Sequence, residues 1–329
     1  ARLTCKERTV AGYKYALNRW VLPHVGGYQL RQLHVGHIER MQTSLLDAGL
    51  SVSTVRVARR VLSSALSHAV ASRHIAHNPV KDIRAPRYPE GQRPMLEPFT
   101  EEQARHLLAV CKDHPDAAVA AFVTIGLMLG MRRGEILGLR LKDIDWAEGH
   151  LSISQALNQD YLPTVDGGWM TELGTSTPKT RHSRRDLSMP SSVRTAVLRL
   201  QNTRNAQRQM AGDDWEETGL LFCSKNGKPM WPSNLTKRYQ RLLKDAGVSQ
   251  LSIHALRHTF ATVCFLNEVP AEQVQTAAGH SSIRTTKDMY ANYLPQLATK
   301  AISALSEVLD PDADQRHLEV VKFDQRKGA

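Results

Sequence analysis

Cysteine is scarce in this sequence, and long apolar runs are missing. Its four cysteines are widely scattered, with neither the spacing of metal ligands nor the density of a disulfide framework: Cys5, Cys111, Cys223 and Cys264. We therefore expect free thiols in a reducing compartment, the cytoplasm. No apolar stretch approaches the roughly 20 residues of a membrane-spanning helix, and no signal peptide opens the chain. These absences exclude an integral membrane protein, and we expect no membrane partner.

The sequence also lacks the common motifs of nucleotide and metal-ion catalysis. It contains no Gly-rich loop of the Walker type, and no cluster of Asp and Glu residues indicates a two-metal site. We therefore predict neither a metal ion nor a nucleotide cofactor.

Positive charge, in contrast, is in excess. The 329 residues include 43 Lys and Arg against 32 Asp and Glu, a formal net charge of +11. A basic protein is attracted to polyanions, and the release of counterions from DNA drives sequence-independent binding. Charge spread evenly for solubility would give the same total, so the distinction depends on where the basic residues cluster.

Residues 1–83 are predicted to form a helical domain. Apolar residues recur at helical spacing, with one helix ended by Pro23 and Gly26-Gly27 and a second over residues 35–48. A third helix begins after the capping Ser51.

The polar face of this third helix carries Arg56, Arg59 and Arg60 beside short hydroxyl side chains. Such a face is ordinarily solvated, but it also suits contact with DNA phosphates, and we favour the second interpretation.

Residues 84–98 form a basic, Pro-rich linker in which Arg84, Arg87 and Arg93 are expected to track a DNA backbone. A capping box at Thr100 then opens a second domain. We place that domain at residues 99–310 and a polar tail at residues 311–329. Because the chain starts with Ala1 rather than Met, we expect the natural N-terminus to lie upstream.

The second domain is predicted to be mostly helical with a small β-insert. Alternating apolar residues predict strands at 150–157 and 185–189, and residues 158–177 between them are interpreted as a long mobile excursion. Helices are predicted at 191–210, 233–246, 253–266, 271–277 and 283–293, followed by an amphipathic segment at 298–309. The fold class is therefore mainly α with a small antiparallel β-sheet.

Two stretches of this domain combine residues suited to phosphate chemistry. Arg132 is followed three residues later by Glu135, whose carboxylate would orient the guanidinium, although surface ion pairs have the same spacing. The second stretch is Gly279-His280, which Tyr290 follows.

A third stretch places His254 and Arg257 on one face of a helix, where imidazole and guanidinium would reach the same ligand. The alternative is a zinc half-site formed by His254 and His258, for which no carboxylate or cysteine partner has suitable spacing.

In their order along the chain these residues, together with Lys179, resemble the tyrosine recombinase (phage integrase) family. Residues 130–139, 256–262 and 279–286 are similar to the family's first arginine box and its later boxes. The resemblance implies a helical core-binding domain followed by a mixed α+β catalytic domain. It also implies a site-specific DNA recombinase, a phage or mobile-element integrase that lacks its N-terminal arm-binding domain.

The resemblance gives each matching residue a role in DNA strand cleavage. Two arginines would grip the scissile phosphate, two histidines would hydrogen-bond it and move protons, a lysine would protonate the leaving 5′ oxygen, and a tyrosine would form a 3′-phosphotyrosine bond. In that order the residues are Arg132 and Arg257, His254 and His280, Lys179, and Tyr290, with Glu135 supporting the pocket. By their position, Arg181, Arg184 and Arg185 would contact backbone phosphates.

The sequence departs from the family pattern at two positions that do no chemistry. Ala255 stands where aspartate is common, and Ala278 stands where leucine is common. Tyr293 is the rival of Tyr290 as nucleophile.

The partners implied are double-stranded DNA with specific recombination sites, three further copies of the chain in a tetramer on two DNA sites, and accessory DNA-bending or directionality factors. The location implied is the bacterial cytoplasm, at the nucleoid. Rival functions are a catalytically inactive DNA-binding regulator, a type IB topoisomerase-like enzyme and a resolvase of chromosome dimers. The segment at 298–309 packs in its own core or docks on a neighbouring protomer, and the sequence leaves both open.

Overall fold

The computed structural model of the chain describes residues 7–89, 97–164, 169–176 and 184–279. Its α-helices in these ranges are α1 (Glu7–Ala16), α2 (Leu22–Val25), α3 (Val35–Asp47), α4 (Val52–Ala71), α5 (Glu101–Asp113), α6 (Ala117–Leu129), α7 (Arg133–Leu137), α8 (Ser191–Ala211), α9 (Pro232–Asp245), α10 (His254–Leu266) and α11 (Ala271–Ala278). The strands are β1 (Ile144–Asp145), β2 (His150–Ile153), β3 (Ala156–Pro163), β4 (Trp169–Ser176) and β5 (Arg185–Ser188). The predicted class, mainly α with small antiparallel sheets, is confirmed. No helix in these ranges combines the length and the apolarity that crossing a membrane requires.

The helices of residues 7–83 pack around a core of their own. A π-helical turn joins α1 to α2, so that one helical stretch continues until it ends before Gly26. Pro23 does not end this stretch as predicted, since it lies in the first turn of α2, directly after the π-helical turn. Buried side chains of α3 and α4, among them Ile38 and Leu66, complete this core.

Helix α6 is the centre of the second region. Nearly all its side chains are buried, as expected for a helix that is apolar on every face. Helices α5, α8, α9 and α10 surround it. Gly126 of α6 allows α10 to approach closely, since a Cβ there would lie 2.9 Å from the Leu256 side chain. The predicted capping box at Thr100 is confirmed and starts α5.

Most of the excursion predicted at residues 158–177 forms a β-hairpin. Strands β3 and β4 pair antiparallel from Ala156 opposite Ser176 to Pro163 opposite Trp169. At the base of the hairpin, Leu157 is buried and Leu173 packs against the second core. Helix α7 contacts the same base, and a Cβ on Gly134 would lie 2.7 Å from the Leu157 carbonyl oxygen.

The sheet β1-β2-β5 directs the first side chain of β5 inward. Strands β2 and β5 pair antiparallel, with Ile153 opposite Arg185 and Leu151 opposite Leu187. Cross-strand partners share one face of a sheet, and Ile153 and Leu151 are buried. Arg185 therefore points into the protein, which matters for the site below.

Candidate active site

The turn between α6 and α7 positions Arg132. Helix α6 ends at Gly130, which has a left-handed conformation (φ 60°), and a Cβ at this position would overlap the Phe260 ring. Arg132 is the N-cap of α7: its backbone N–H donates to Oε2 of Glu135 at 3.0 Å, and its Nη1 donates to Oε1 at 2.7 Å. The predicted orientation of Arg132 by Glu135 is confirmed.

Glu135 is held from its other side by Arg185. The Nη2 of Arg185 lies 3.0 Å from Oε2 of Glu135, and the two side chains are only 6% and 5% exposed. Burial by itself raises the pKa of the Glu135 carboxyl, but Arg185, followed by the backbone N–H and the guanidinium of Arg132, outweighs it. The pKa of Glu135 therefore lies below its ordinary value, and the carboxylate is ionised at neutral pH.

Helix α10 brings Arg257 to the same cluster. Its side chain is buried, and its Nη1 donates to the Gly130 carbonyl at 2.6 Å. Burial, followed by the charge of Arg132, lowers the pKa of the Arg257 guanidinium to about 9. Glu135 opposes this effect, and Arg185 adds to it. Since its neighbours disfavour the charge on Arg257, additional negative charge beside it would be stabilising.

His254 and His258 lie one turn apart at the start of α10. Burial, then the charges of Arg133 and Arg257, lowers the pKa of His254. Burial, then His254 and Arg257, lowers the pKa of His258. Both imidazoles are therefore neutral at neutral pH, and each has one donor and one acceptor nitrogen. Within the part of the chain that the structure describes, no group of three or more His, Cys, Asp or Glu side chains is arranged to hold a metal ion.

Helix α11 ends against the arginines at Gly279. This residue has a left-handed conformation (φ 68°), and its carbonyl accepts a hydrogen bond from Nη2 of Arg132 at 2.6 Å. A Cβ on Gly279 would overlap the Arg185 guanidinium, so the close approach requires glycine. The residue directly before His280 is thus fixed to Arg132.

The structure therefore brings together Arg132, Glu135, His254 and Arg257 of the predicted site. The other catalytic candidates, Lys179, His280 and Tyr290, lie outside the described residues, as do the predicted DNA-binding residues Arg93 and Arg181.

Among the described residues, the cluster joins three guanidiniums, those of Arg132, Arg185 and Arg257, to the single carboxylate of Glu135. Positive charge is therefore in excess. The side chain of Arg132 is 40% exposed, so the cluster is open to solvent at this arginine. Guanidinium groups match the geometry of phosphate oxygens, and an anion at this position would offset the excess charge.

The arginine face of α4 in the first region is engaged differently. The Nε of Arg56 donates to the Pro86 carbonyl at 2.7 Å. The Nη2 of Arg59 donates to the carbonyls of Val80 and Ile83 at 2.7 and 2.6 Å. These two guanidiniums hold the chain that follows α4, a role that the sequence did not indicate.

Other predicted DNA-binding arginines remain at the surface. The exposed ones are Arg60, Arg84, Arg87 and Arg184. The Ser67 hydroxyl of α4 is used internally, since the Asn78 amide donates to its Oγ at 2.8 Å.

Arg185 is the functional residue whose place the sequence reasoning missed. The sequence predicted a surface contact with a DNA phosphate, but the Nε of Arg185 donates to the Ala277 carbonyl at 2.7 Å and its Nη2 binds Glu135 inside the cluster. The signal was the alternation along β5, in which Arg185 shares a face with the partly buried Leu187.

Comparison with known families decides the class of the protein. Residues 97–296 match the phage integrase family, and residues 1–46 match the N-terminal SAM-like domain of phage integrases. The chain belongs to the phage integrase family. This is a family of tyrosine recombinases, enzymes that break and rejoin DNA, and this recombinase acts in site-specific recombination.

Individual relatives agree with this membership. A tyrosine recombinase XerC-like protein of Caldanaerobacter subterraneus is 29% identical over 277 residues, which cover 82% of this chain and 70% of the relative. The structure of the Tn1549 transposon integrase in complex with transposon right end DNA is 22% identical, with a TM-score of 0.71, and the match covers 93% of this chain and 95% of that chain. The structure of a lambda integrase tetramer bound to a Holliday junction is 16% identical, with a TM-score of 0.57. The match covers 87% of this chain and 72% of that chain. The two solved structures share the fold of this chain.

Proposed function

We propose that Arg132 and Arg257 grip the scissile phosphate of a recombination site and that Tyr290 attacks it to form a 3′-phosphotyrosine bond. The observation that carries this proposal is the imbalance of charge in the cluster, where three guanidiniums lie around the single carboxylate of Glu135, two of them paired with it. A phosphodiester is already an anion, and attack by an oxygen adds negative charge to its outer oxygens. Fixed donors aimed at such developing charge typically contribute about 3–4 kcal/mol each.

The remaining candidates supply the proton transfers. His254 and His280 would hydrogen-bond the phosphate, and the depressed pKa of His254 suits a neutral imidazole in this role. Lys179 would protonate the 5′ oxygen, because an alkoxide is a poorer leaving group than a phenolate. The phosphotyrosine bond retains the energy of the broken phosphodiester, so that rejoining to a new 5′ hydroxyl requires no ATP.

The wider proposal is that the enzyme integrates or excises a mobile element at two DNA sites held by four copies of the chain. Accessory DNA-bending or directionality factors belong to the same proposal. Its support is that the Tn1549 integrase binds a transposon end and that lambda integrase forms a tetramer on a Holliday junction. Exposed arginines would contact the DNA backbone: Arg60, Arg84, Arg87 and Arg184.

The test is covalent capture on a nicked duplex in the presence of EDTA. A Tyr290→Phe variant, which is expected to bind DNA without cleaving it, first selects its site from a pool of randomised duplexes. The selected site, nicked so that the cleaved fragment diffuses away, is then incubated with wild type, Tyr290→Phe and the matched variant Tyr293→Phe. We expect a denaturant-stable protein–DNA adduct from wild type and Tyr293→Phe, and none from Tyr290→Phe.

Each other outcome points to a different enzyme or to none. An adduct that persists in Tyr290→Phe and disappears in Tyr293→Phe would make Tyr293 the nucleophile. Wild type that retains the duplex and never forms an adduct would be a DNA-binding regulator. Relaxation of supercoiled DNA that lacks the selected site would indicate a type IB topoisomerase activity.

A further inference from the structure

Arg185 connects three segments of the site that are far apart in the sequence. It is the first residue of β5, its Nη2 binds Oε2 of Glu135 in α7 at 3.0 Å, and its Nε donates to the Ala277 carbonyl in α11 at 2.7 Å. Gly279 lies so close that only a glycine fits beside the guanidinium. Arg132 is also bonded both to α7 and to the end of α11, but its own direction is set by Glu135.

The two oxygens of Glu135 explain why this connection matters for Arg132. Oε1 accepts from Nη1 of Arg132, while Oε2 accepts from the Arg132 backbone N–H and from Arg185. A carboxylate held from both sides cannot rotate without breaking one of these bonds. Arg185 therefore sets part of the direction of the Arg132 guanidinium. It does so through Glu135, since each of these hydrogen bonds ends on that carboxylate.

The second bond of Arg185 acts on the other half of the site. The Ala277 carbonyl belongs to the last turn of α11, and the chain continues from Gly279 into His280. Arg185 thus holds the end of the helix from which His280 and, ten residues later, Tyr290 follow in the sequence.

On these contacts we propose that Arg185 is a positioning residue for DNA strand cleavage. It fixes the distance between the Arg132–Glu135 pair and the end of α11, so that the phosphate-binding arginine and the segment of the nucleophile meet in one geometry. It acts through Glu135 and the backbone and does not touch the phosphate. The inference rests on the proposed function, since it concerns the rate of the same cleavage step.

The expected effect lies in the rate of cleavage and not in the affinity for DNA. A mutation far from the reacting atoms can lower a rate about 100-fold if it displaces a reacting group by about 1 Å. We therefore expect Arg185→Gln to form the phosphotyrosine adduct about 100-fold more slowly when DNA is saturating. Because the side chain is only 6% exposed, DNA binding should change little. Arg185→Lys keeps the charge beside Glu135 without the second donor, so its rate should fall between those of Arg185→Gln and wild type.

Arg204 provides a matched control for the loss of a buried arginine. Its side chain is 2% exposed, its Nε donates to the Leu220 carbonyl at 3.0 Å, and its Nη2 pairs with Glu217. Like Arg185 it joins a backbone carbonyl to a glutamate, but neither of these partners belongs to the site. Arg204→Gln should therefore destabilise the fold while leaving the cleavage rate of the folded protein unchanged.

The experiment compares wild type, Arg185→Gln, Arg185→Lys and Arg204→Gln in the full chain. It measures the single-turnover rate of adduct formation on the nicked site, the DNA dissociation constant and the thermal unfolding midpoint, with rates taken well below the lowest midpoint. The proposal predicts that Arg185→Gln cleaves slowly with unchanged affinity for DNA, whereas Arg204→Gln cleaves at the wild-type rate. In Arg185→Lys the cleavage rate should be partly restored.

Three results would overturn the positioning role. They are a wild-type rate in Arg185→Gln, an equal loss of rate in Arg204→Gln, or no recovery in Arg185→Lys. A wild-type protein that forms no adduct would instead contradict the proposed cleavage reaction itself, so the two failures are distinguishable.

Discussion

Two groups of arginines in this protein donate to backbone carbonyls, but only one group is also built around a carboxylate. On α4, Arg56 and Arg59 hold the chain that follows the helix. Around α7, three arginines surround Glu135, and all three also donate to carbonyls at the ends of α6 and α11.

The partners and the burial decide what each group can bind. A carbonyl occupies the donors of a guanidinium without cancelling its charge, and near the surface water screens that charge. In the cluster around Glu135, burial, followed by the charge of Arg132, lowers the pKa of Arg257 to about 9. An accumulation of arginine in the sequence therefore does not identify a phosphate site by itself. The proposed phosphate site rests on buried positive charge that lacks a counter-charge, and the following variants test that distinction.

The largest effect is expected for Glu135→Gln, which leaves the arginines of the cluster without a counter-charge. Breaking a buried ion pair by removing one partner typically costs about 3–5 kcal/mol in the free energy of unfolding. Since the pKa of Glu135 is depressed below about 4.5, its contribution is present above that pH and is lost as the pH falls through the lower, folded-state value. Urea titrations of both proteins from pH 7 to pH 3 should show the difference shrinking below pH 4.5. A difference that stays constant with pH would contradict this account.

The next effect is expected for Arg257→Gln, which removes a donor from the proposed phosphate site. The rate of adduct formation should fall about 100- to 1,000-fold at saturating DNA, as on removal of a donor from an oxyanion hole. Single-turnover kinetics on the nicked site measure this rate. Arg199→Gln, which removes an arginine that donates to the Lys112 and His114 carbonyls away from the cluster, is the control and should cleave normally.

A smaller effect is expected for Gly130→Ala. Gly130 and Gly49 both have positive φ angles, 60° and 78°, so alanine is strained at either position. Only at Gly130 would the new Cβ also overlap a side chain, that of Phe260, whereas nothing lies within 4 Å at Gly49. Gly130→Ala should lower the free energy of unfolding by about 1–3 kcal/mol more than Gly49→Ala. Equal losses in chemical denaturation would mean that Phe260 moves away without cost.

The smallest effects separate two neighbouring arginines of α4. Arg59→Ala removes two hydrogen bonds to the chain and should cost about 1–2 kcal/mol in the free energy of unfolding. Arg60→Ala, at an exposed position, should leave stability unchanged and lower the slope of DNA affinity against salt concentration by about 1. Denaturation and binding titrations on both variants measure these quantities. The reverse assignment would show that Arg59, and not Arg60, contacts DNA.

The features that the sequence predicted are local ones. The capping box at Thr100 and the orientation of Arg132 by Glu135 each involve residues three apart, which helical geometry brings together without reference to the rest of the fold. The period of apolar residues likewise located α8 to α11.

The features that were missed depend on segments distant in the chain. Arg185 faces inward because β5 pairs with β2 and α11 ends beside it. Neither contact can be predicted from the residues that flank Arg185 in the sequence. Arg59 is engaged because the chain turns back after α4. The glycine and proline residues of the β3–β4 hairpin interrupt the alternation that would predict its strands. The hairpin is held by Leu157, which is buried in the core of the second region among residues distant in the sequence.

The bond between Arg132 and the Gly279 carbonyl joins residues 147 positions apart. During translation the first region emerges early, whereas this bond requires that nearly the whole second region has left the ribosome. The arginine cluster around Glu135 is therefore completed late in synthesis. A chain that ends before Gly279 would contain Arg132 and Glu135 without the bond that joins them to the end of α11.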